Sequence, residues 1–311
     1  MARRYAGTDR YWELTQRIIE VMKEGRLPWA RPWQSESPRN WMGRPYRGVN
    51  ALLLELTKME RNYTTNRWVT FAAAKRLGGT VRMGERGTMI LKYHVDQPRE
   101  AWQDEALVGE RQRWFVSHLF VFNLDQTDGL DPLRPESAGG FSLSDISERC
   151  RHIIQRSGVR FFEVGDRALY QPEVDSIYLP PWPSFRSETG WAATLFHELT
   201  HATGHPTRLN RDLSGRFGDR RYAAEELIAE LGSAFACARI GAGVEVRQTA
   251  AYLQSWISLL EQDARALVTA ASHAQAATDW LFGPDEHSVD SLDEDVVPNL
   301  TQDEAEVHNA R

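Results

Sequence analysis

His197 and His201 stand four residues apart in the segment Gly190-Trp-Ala-Ala-Thr-Leu-Phe-His-Glu-Leu-Thr-His-Ala-Thr-Gly204. On a helix that spacing projects both imidazoles from one face, where they can take two corners of a tetrahedral Zn2+ site. Glu198, beside them, has the position of a general base for the water such a metal activates. Trp191, Leu195, Phe196 and Leu199 recur as the apolar positions of a buried helix. Buried imidazoles flanking a carboxylate need compensating partners, and a metal ion supplies them.

A catalytic zinc needs a third protein ligand and an open fourth position. A metzincin continuation would require His where Thr207 stands, and His205 falls two residues early. The other route is a carboxylate from a separate downstream helix. Glu225, Glu226 and Glu230 lie in the strongly helical run that opens at Tyr222. Glu226 and Glu230 share a face at i and i+4. The expected assignment is Glu226 as ligand and Glu230 as the group that fixes a ligand imidazole through its other nitrogen, with Glu225 as the substitute ligand. His205, Tyr222 and Tyr252 are candidate donors to a tetrahedral oxyanion, and the sequence does not choose among them.

These residues need a scaffold. Upstream of the metal segment come a helix from Ser144 to Ser157 and short strands at Val159 to Glu163, Ala168 to Gln171 and Ser176 to Leu179. Helix, strands, then metal helix is an order that resembles half of a zincin domain, in which an edge strand borders the cleft and can pair with an extended peptide. Downstream, Arg208 to Arg221 reads as a polar loop, and one long helix is expected over Gln248 to Leu281. Earlier in the chain, an amphipathic helix runs from Asp9 to Gly25, and further helices begin near Asn50 and Thr70. Strands follow at Thr88 to Val95 and Trp114 to Asn123. The fold class is therefore α+β. A small N-terminal α+β domain over residues 1–130 is joined by a Pro-, Gly- and Ser-rich linker, 131–144, to a metal-binding domain over 145–283. The end, 284–311, is acidic and reads as a disordered tail.

Charge separates the two halves. Residues 1–130 hold 21 Lys+Arg against 15 Asp+Glu, whereas the remainder holds 16 against 28. Trp and Tyr interleave with Arg and Lys across residues 29–86. That composition suits a single-stranded DNA surface, with bases stacked on rings and cations along phosphates, and it equally suits a small core that packs on its Trp residues. The basic excess favours DNA, with Trp33, Trp41, Arg44, Arg47, Lys75, Arg82 and Arg86 as the expected contacts. Cys150 and Cys237 have no metal-binding spacing and fit a reducing compartment. No run of about 18 apolar residues and no apolar signal core follows the basic start, so the expectation is a cytoplasmic protein without a membrane partner.

Specific motifs carry a resemblance. In the first half they are Leu27-Pro-Trp-Ala-Arg-Pro-Trp33, Arg44-Pro-Tyr-Arg-Gly-Val-Asn50, Trp68-Val-Thr-Phe71, Gly78-Gly-Thr-Val-Arg-Met-Gly-Glu-Arg-Gly87 and Val121-Phe-Asn123. In the second they are Phe196-His-Glu-Leu-Thr-His201, Gly204-His-Pro-Thr-Arg-Leu-Asn-Arg211 and Tyr222-Ala-Ala-Glu-Glu-Leu-Ile-Ala-Glu230. With these the chain resembles the ArdC-like antirestriction proteins of plasmids and other mobile elements. The resemblance implies an N-terminal domain that binds single-stranded DNA and a C-terminal zincin-like metallopeptidase domain. It further implies protection of incoming plasmid DNA from host restriction during conjugation, with a host restriction enzyme or another protein as the peptidase substrate. The alternative is a single-stranded DNA-binding protein whose zinc is structural.

Overall fold

The computed structural model describes residues 8–30, 37–95, 114–130, 143–216, 218–243 and 250–283. Trp33, most of the expected linker and the acidic tail lie outside them. In chain order the elements are α1 (Thr8–Lys23), β1 (Arg39–Asn40), α2 (Gly48–Arg61), β2 (Arg67–Thr70), α3 (Phe71–Arg76), β3 (Thr80–Val81), β4 (Thr88–Val95), β5 (Trp114–Asn123) and β6 (Thr127–Asp128). Then come α4 (Leu143–Ser157), β7 (Arg160–Glu163), β8 (Leu169–Gln171), β9 (Ser176–Leu179), α5 (Glu188–Thr203), α6 (Arg220–Arg239), α7 (Ala250–Gln262) and α8 (Ala266–Phe282). Described residues of Met1–Ser37, Arg47–Leu52 and Glu136–Glu286 form one compact unit, the helical unit. Those of Pro38–Tyr46 and Leu53–Pro135 form a second, the sheet unit.

The sheet unit is built on four strands in the order β1-β2-β5-β4, with β1 and β2 parallel and the other pairs antiparallel. Thr70 ends β2 and caps α3, its side chain accepting from the Ala73 amide. The interior holds Val69, Ala73, Ala74 and Leu124, with Trp41, Leu77 and Phe122 packed against them. Trp68 is fully buried, and its indole donates to Asn66, which in turn donates to the buried Glu55 carboxylate at 2.6 Å. Trp68 and Trp41 of this unit thus serve the core.

In the helical unit α1 lies against α7. Thr15 donates to the Ala264 carbonyl, Lys23 pairs with Glu261, and Trp29 meets Trp256 edge to face. The N-terminal helix therefore groups with the C-terminal helices rather than with the sheet. The expected single helix over Gln248 to Leu281 is two helices, α7 and α8. The break carries neither Gly nor Pro: the Asp263 carboxylate accepts the Arg265 amide at 3.0 Å, a local bond that competes with the helical ladder. The start of α6 also moves, to Arg220, because Asp219 caps it by accepting the Tyr222 amide at 2.7 Å.

Candidate functional site

Helix α5 is fixed at its start by Ser187, whose hydroxyl accepts the Gly190 amide, and it buries Trp191, Leu195, Phe196 and Leu199. Helix α6 crosses it closely at Gly232. A Cβ added there would fall 2.5 Å from Thr200 Oγ1 and 2.6 Å from its Cγ2, so the crossing tolerates no side chain. Ser233 ties the same pair of helices by donating to the Ala193 carbonyl at 2.7 Å. This contact brings the glutamates of α6 against the histidines of α5.

His197, His201 and Glu226 converge. The two Nε2 atoms are 3.2 Å apart, and Glu226 places one oxygen 3.6 Å from His197 Nε2 and the other 3.5 Å from His201 Nε2. Ligand atoms bonded tetrahedrally at about 2.0–2.1 Å sit roughly 3.3–3.4 Å apart, so two imidazole nitrogens and a carboxylate oxygen here fit a divalent cation. Glu230 lies 3.7 Å from the opposite nitrogen of His197. Glu225 turns about 100° round α6 from Glu226 and meets His201 Nδ1 at 3.2 Å, on the side away from Glu226. His201 is thus held from behind by Glu225, and His197 is faced from behind by Glu230 just beyond hydrogen-bond distance.

Arg211 completes this arrangement and was not singled out by its spacing. Its guanidinium, 5% exposed, donates to both oxygens of Glu225 at 3.0 and 2.8 Å, to Thr203 Oγ1 at 2.8 Å and to the Thr200 carbonyl at 2.6 Å. In the sequence Arg211 closes the motif Gly204-His-Pro-Thr-Arg-Leu-Asn-Arg211, but no periodicity ties it to Glu225.

Electrostatics follow from this crowding. Burial opposes charge on His201, but the Glu225 and Glu226 carboxylates outweigh it and push its pKa up to about 10. Burial acts likewise on His197, and Glu226 again shifts the balance upward. Burial would raise Glu226, yet its bonds to the two histidines hold it well below the carboxylate range.

Beside His197, His201 and Glu226 is a cavity of about 330 Å3, lined also by Glu198, Tyr222, Tyr252 and, from the edge strand β8 and its flanks, Ala168, Leu169, Tyr170 and Pro172. The two tyrosine hydroxyls are 2.9 Å apart, and burial raises both pKa values, so both remain O–H donors. His205 lies outside this lining, its ring bonded to Thr207 at 2.8 Å on the surface. Tyr170 on β8 donates to Asp175, whose left-handed backbone (φ 46°) makes the turn into β9 and whose carboxylate also pairs with Arg208.

The expected DNA contacts scatter. Trp41 is half-buried against the sheet-unit core, and Arg47 is paired with Asp279 inside the helical unit. Arg44 is half-buried, and Arg82 is engaged with Glu85 and Asp128. Lys75 and Arg86 are exposed. A different set of rings faces solvent. His118 and Phe120 alternate along one face of β5 and meet at 5.9 Å; Phe122, next on that face, packs on the sheet-unit core and meets the exposed Phe71 at 6.3 Å. Phe71 is 59% and Phe120 49% exposed, which is unusual for phenylalanine. Gly87 lets the backbone lie against both Phe120 and Phe122, and Lys75 follows Phe71 by one helical turn. Period-two alternation along β5 was the signal for this face.

Two protein families match successive stretches of the chain. Residues 8–122 match the N-terminal domain of the anti-restriction factor ArdC, and residues 148–273 match a zincin-like metallopeptidase family. Two Escherichia coli proteins named DNA primase TraC are 34% and 36% identical over 89% and 87% of this chain, which spans only 20% and 27% of their length. The protein y4eC of Sinorhizobium fredii is 35% identical, over 88% of this chain and 92% of its own. Crystal structures of the antirestriction protein ArdC from the R388 plasmid, metal-free and Mn(II)-bound, superpose with a TM-score of 0.71. They are 38% and 37% identical and cover 87% of this chain and 96% of theirs.

Proposed function

The chain belongs to the ArdC family of antirestriction proteins, and from that premise we propose that it binds single-stranded DNA through its N-terminal domain and cleaves a protein at its metal centre. The spans we assign to these tasks are residues 1–130, of which α1 and Arg47–Leu52 pack in the helical unit, and residues 145–283. The observation that carries the peptidase half is the convergence of His197, His201 and Glu226 beside Glu198 and an edge strand. The metal we assign is zinc, from the two imidazoles and one carboxylate; the Mn(II)-bound relative makes manganese the competitor.

A bound cation supplies Lewis acidity, acidifying water and polarising a carbonyl. The residues do the rest. Strand β8 pairs an extended peptide along the cavity. Glu198 accepts the proton of the attacking water and returns it to the leaving amine. Tyr222 and Tyr252, both protonated, donate to the developing oxyanion. Glu230 and Glu225 hold the two imidazoles in the orientation that points Nε2 at the site.

The DNA half is supported by the exposed rings of His118, Phe120 and Phe71 with Lys75 beside Phe71, and by the two relatives named as DNA primases. Rings stack bases without regard to sequence, and the basic N-terminal half follows the phosphates. In the cell the protein would shield incoming plasmid DNA, with a host restriction enzyme as the candidate peptidase substrate. The deciding measurement is Glu198→Gln, assayed for zinc content, peptide cleavage and restriction protection. Retained zinc with lost cleavage and lost protection is expected. Intact protection would make the protein a single-stranded DNA coat whose metal is structural.

A further inference from the structure

A second cavity in the helical unit, of about 430 Å3, shares no lining residue with the metal cavity. Its walls include Arg151 of α4, Phe161 and Glu163 of β7, Trp182, and Glu188 and Trp191 from the first turns of α5. Trp182 and Trp191 meet edge to face at 5.0 Å. Trp191 is 4% exposed, and its indole nitrogen has no hydrogen-bond partner among the described residues; nor has the buried Oε2 of Glu188. The two residues lie one helical turn apart, so a donor and an acceptor stand side by side on one face of α5. Buried groups of this kind are ordinarily satisfied, and a charged one most of all.

The chemistry selects the ligand. An unpaired carboxylate oxygen asks for a donor, and two carboxylates against one guanidinium in the wall ask that this donor be cationic. Tryptophan walls take a planar cation on their faces. A guanidinium meets all three demands, whereas an ammonium lacks the plane and the paired donors. The neighbouring backbone says what carries it. β7 is an edge strand in the order β7-β9-β8, with no strand on its outer side among the described residues. Phe161 and Glu163, alternate residues of β7, both line the cavity. An extended segment added to that edge would lay its side chain in the cavity and could offer a carbonyl to Trp191.

We propose that this cavity docks an arginine side chain of an extended, basic protein segment, at a site separate from the metal centre. This assignment does not depend on the peptidase reading. The test is calorimetric titration of the full-length, zinc-loaded protein with two blocked pentapeptides that differ only in arginine or its neutral isostere citrulline at the centre. The arginine peptide should bind, and the citrulline peptide should bind at least about tenfold more weakly, since the charged hydrogen bond is lost. Glu188→Gln should reproduce that loss for the arginine peptide, and Trp182→Ala should weaken it, both with zinc content unchanged as evidence of folding. Equal affinity for the two peptides, no binding of either, or indifference to Glu188→Gln in a zinc-replete protein would overturn the proposal. So would guanosine binding that depends on Glu188 while the arginine peptide does not bind.

Discussion

Each imidazole of the proposed metal site has two ends, and the end away from the site decides how well the other end is aimed. Glu225 holds His201 Nδ1, and Arg211 holds Glu225 with two hydrogen bonds in a nearly dry setting. Arg211→Met leaves the Glu225 carboxylate buried without its cation. Zinc affinity is expected to fall about 10–100-fold, the usual effect of losing an outer partner of a metal ligand. Competition with a fluorescent chelator reads this directly, and unchanged affinity would reduce Arg211 to a loop anchor. The site is also linked to pH, in opposite senses at its two ends. The metal-free pKa of His201 is raised from 6.5 to about 10, so its stabilisation is complete below 6.5 and is lost as pH rises through about 10. That of Glu226 is lowered from 4.5, so its stabilisation is complete above 4.5 and is lost as pH falls. Metal-free protein should therefore melt highest between pH 4.5 and 6.5. Zinc must displace the His201 proton, so its apparent affinity should rise with pH, about tenfold per unit while one proton is released. A melting temperature of metal-free protein that climbs from pH 6.5 to 9 would contradict this. The histidines, Glu198 and the i, i+4 glutamates were legible because they obey helical spacing. The Glu225–Arg211 pair was not, because it joins a helix to a loop across 14 residues by a contact that no periodicity encodes.

At the scale of elements, the site depends on how closely α5 and α6 cross. Gly232 faces Thr200, a β-branched residue whose hydroxyl is already committed to the Phe196 carbonyl at 2.7 Å, so neither partner can yield cheaply. Gly232→Ala gains intrinsic helix propensity of roughly 1 kcal/mol. It also forces overpacking that costs about 1–3 kcal/mol, so the net is expected to be destabilising. The more telling effect is on the metal: pushing α6 outward moves Glu226 and Glu230 together away from both histidines. Chemical denaturation and zinc titration of the same variant should both register a loss, and a variant more stable than the parent with full zinc affinity would show that the crossing has slack. Strands β4, β5 and β9 have the expected bounds because β-branched and aromatic runs end at polar turns. The break between α7 and α8 has no compositional signal, because it rests on one local bond, the Asp263 carboxylate accepting the Arg265 amide, inside an Ala- and Leu-rich run.

Over the whole molecule, the two proposed activities draw on separate sets of residues. The metal residues and their supports belong to the helical unit, while Phe71, Phe120, Phe122 and His118 belong to the sheet unit. The charge excess of the N-terminal half was visible in composition, but which rings face outward was not. Trp is the larger stacking surface, but in the sheet unit Trp68 is fully buried and Trp41 packs on the core, whereas the smaller rings of Phe71 and Phe120 stay outside. Phe71 and Phe120 gain nothing from exposure, since each leaves apolar area in water that a polar residue would not. Their cost is explained if bases cover them. Phe71→Ala and Phe120→Ala should each weaken single-stranded DNA binding by about 1–3 kcal/mol, with little change in the salt dependence, because stacking releases no counterions. Lys75→Ala should lower affinity and flatten the salt slope by about one unit. Zinc removal, and His197→Ala, should leave all of these values in place. Fluorescence anisotropy with a labelled oligonucleotide across a salt series separates the three effects. If both Phe substitutions bind DNA like the parent while Arg44 and Arg82 substitutions do not, the strand runs elsewhere on the sheet unit and the exposed rings serve a protein partner instead.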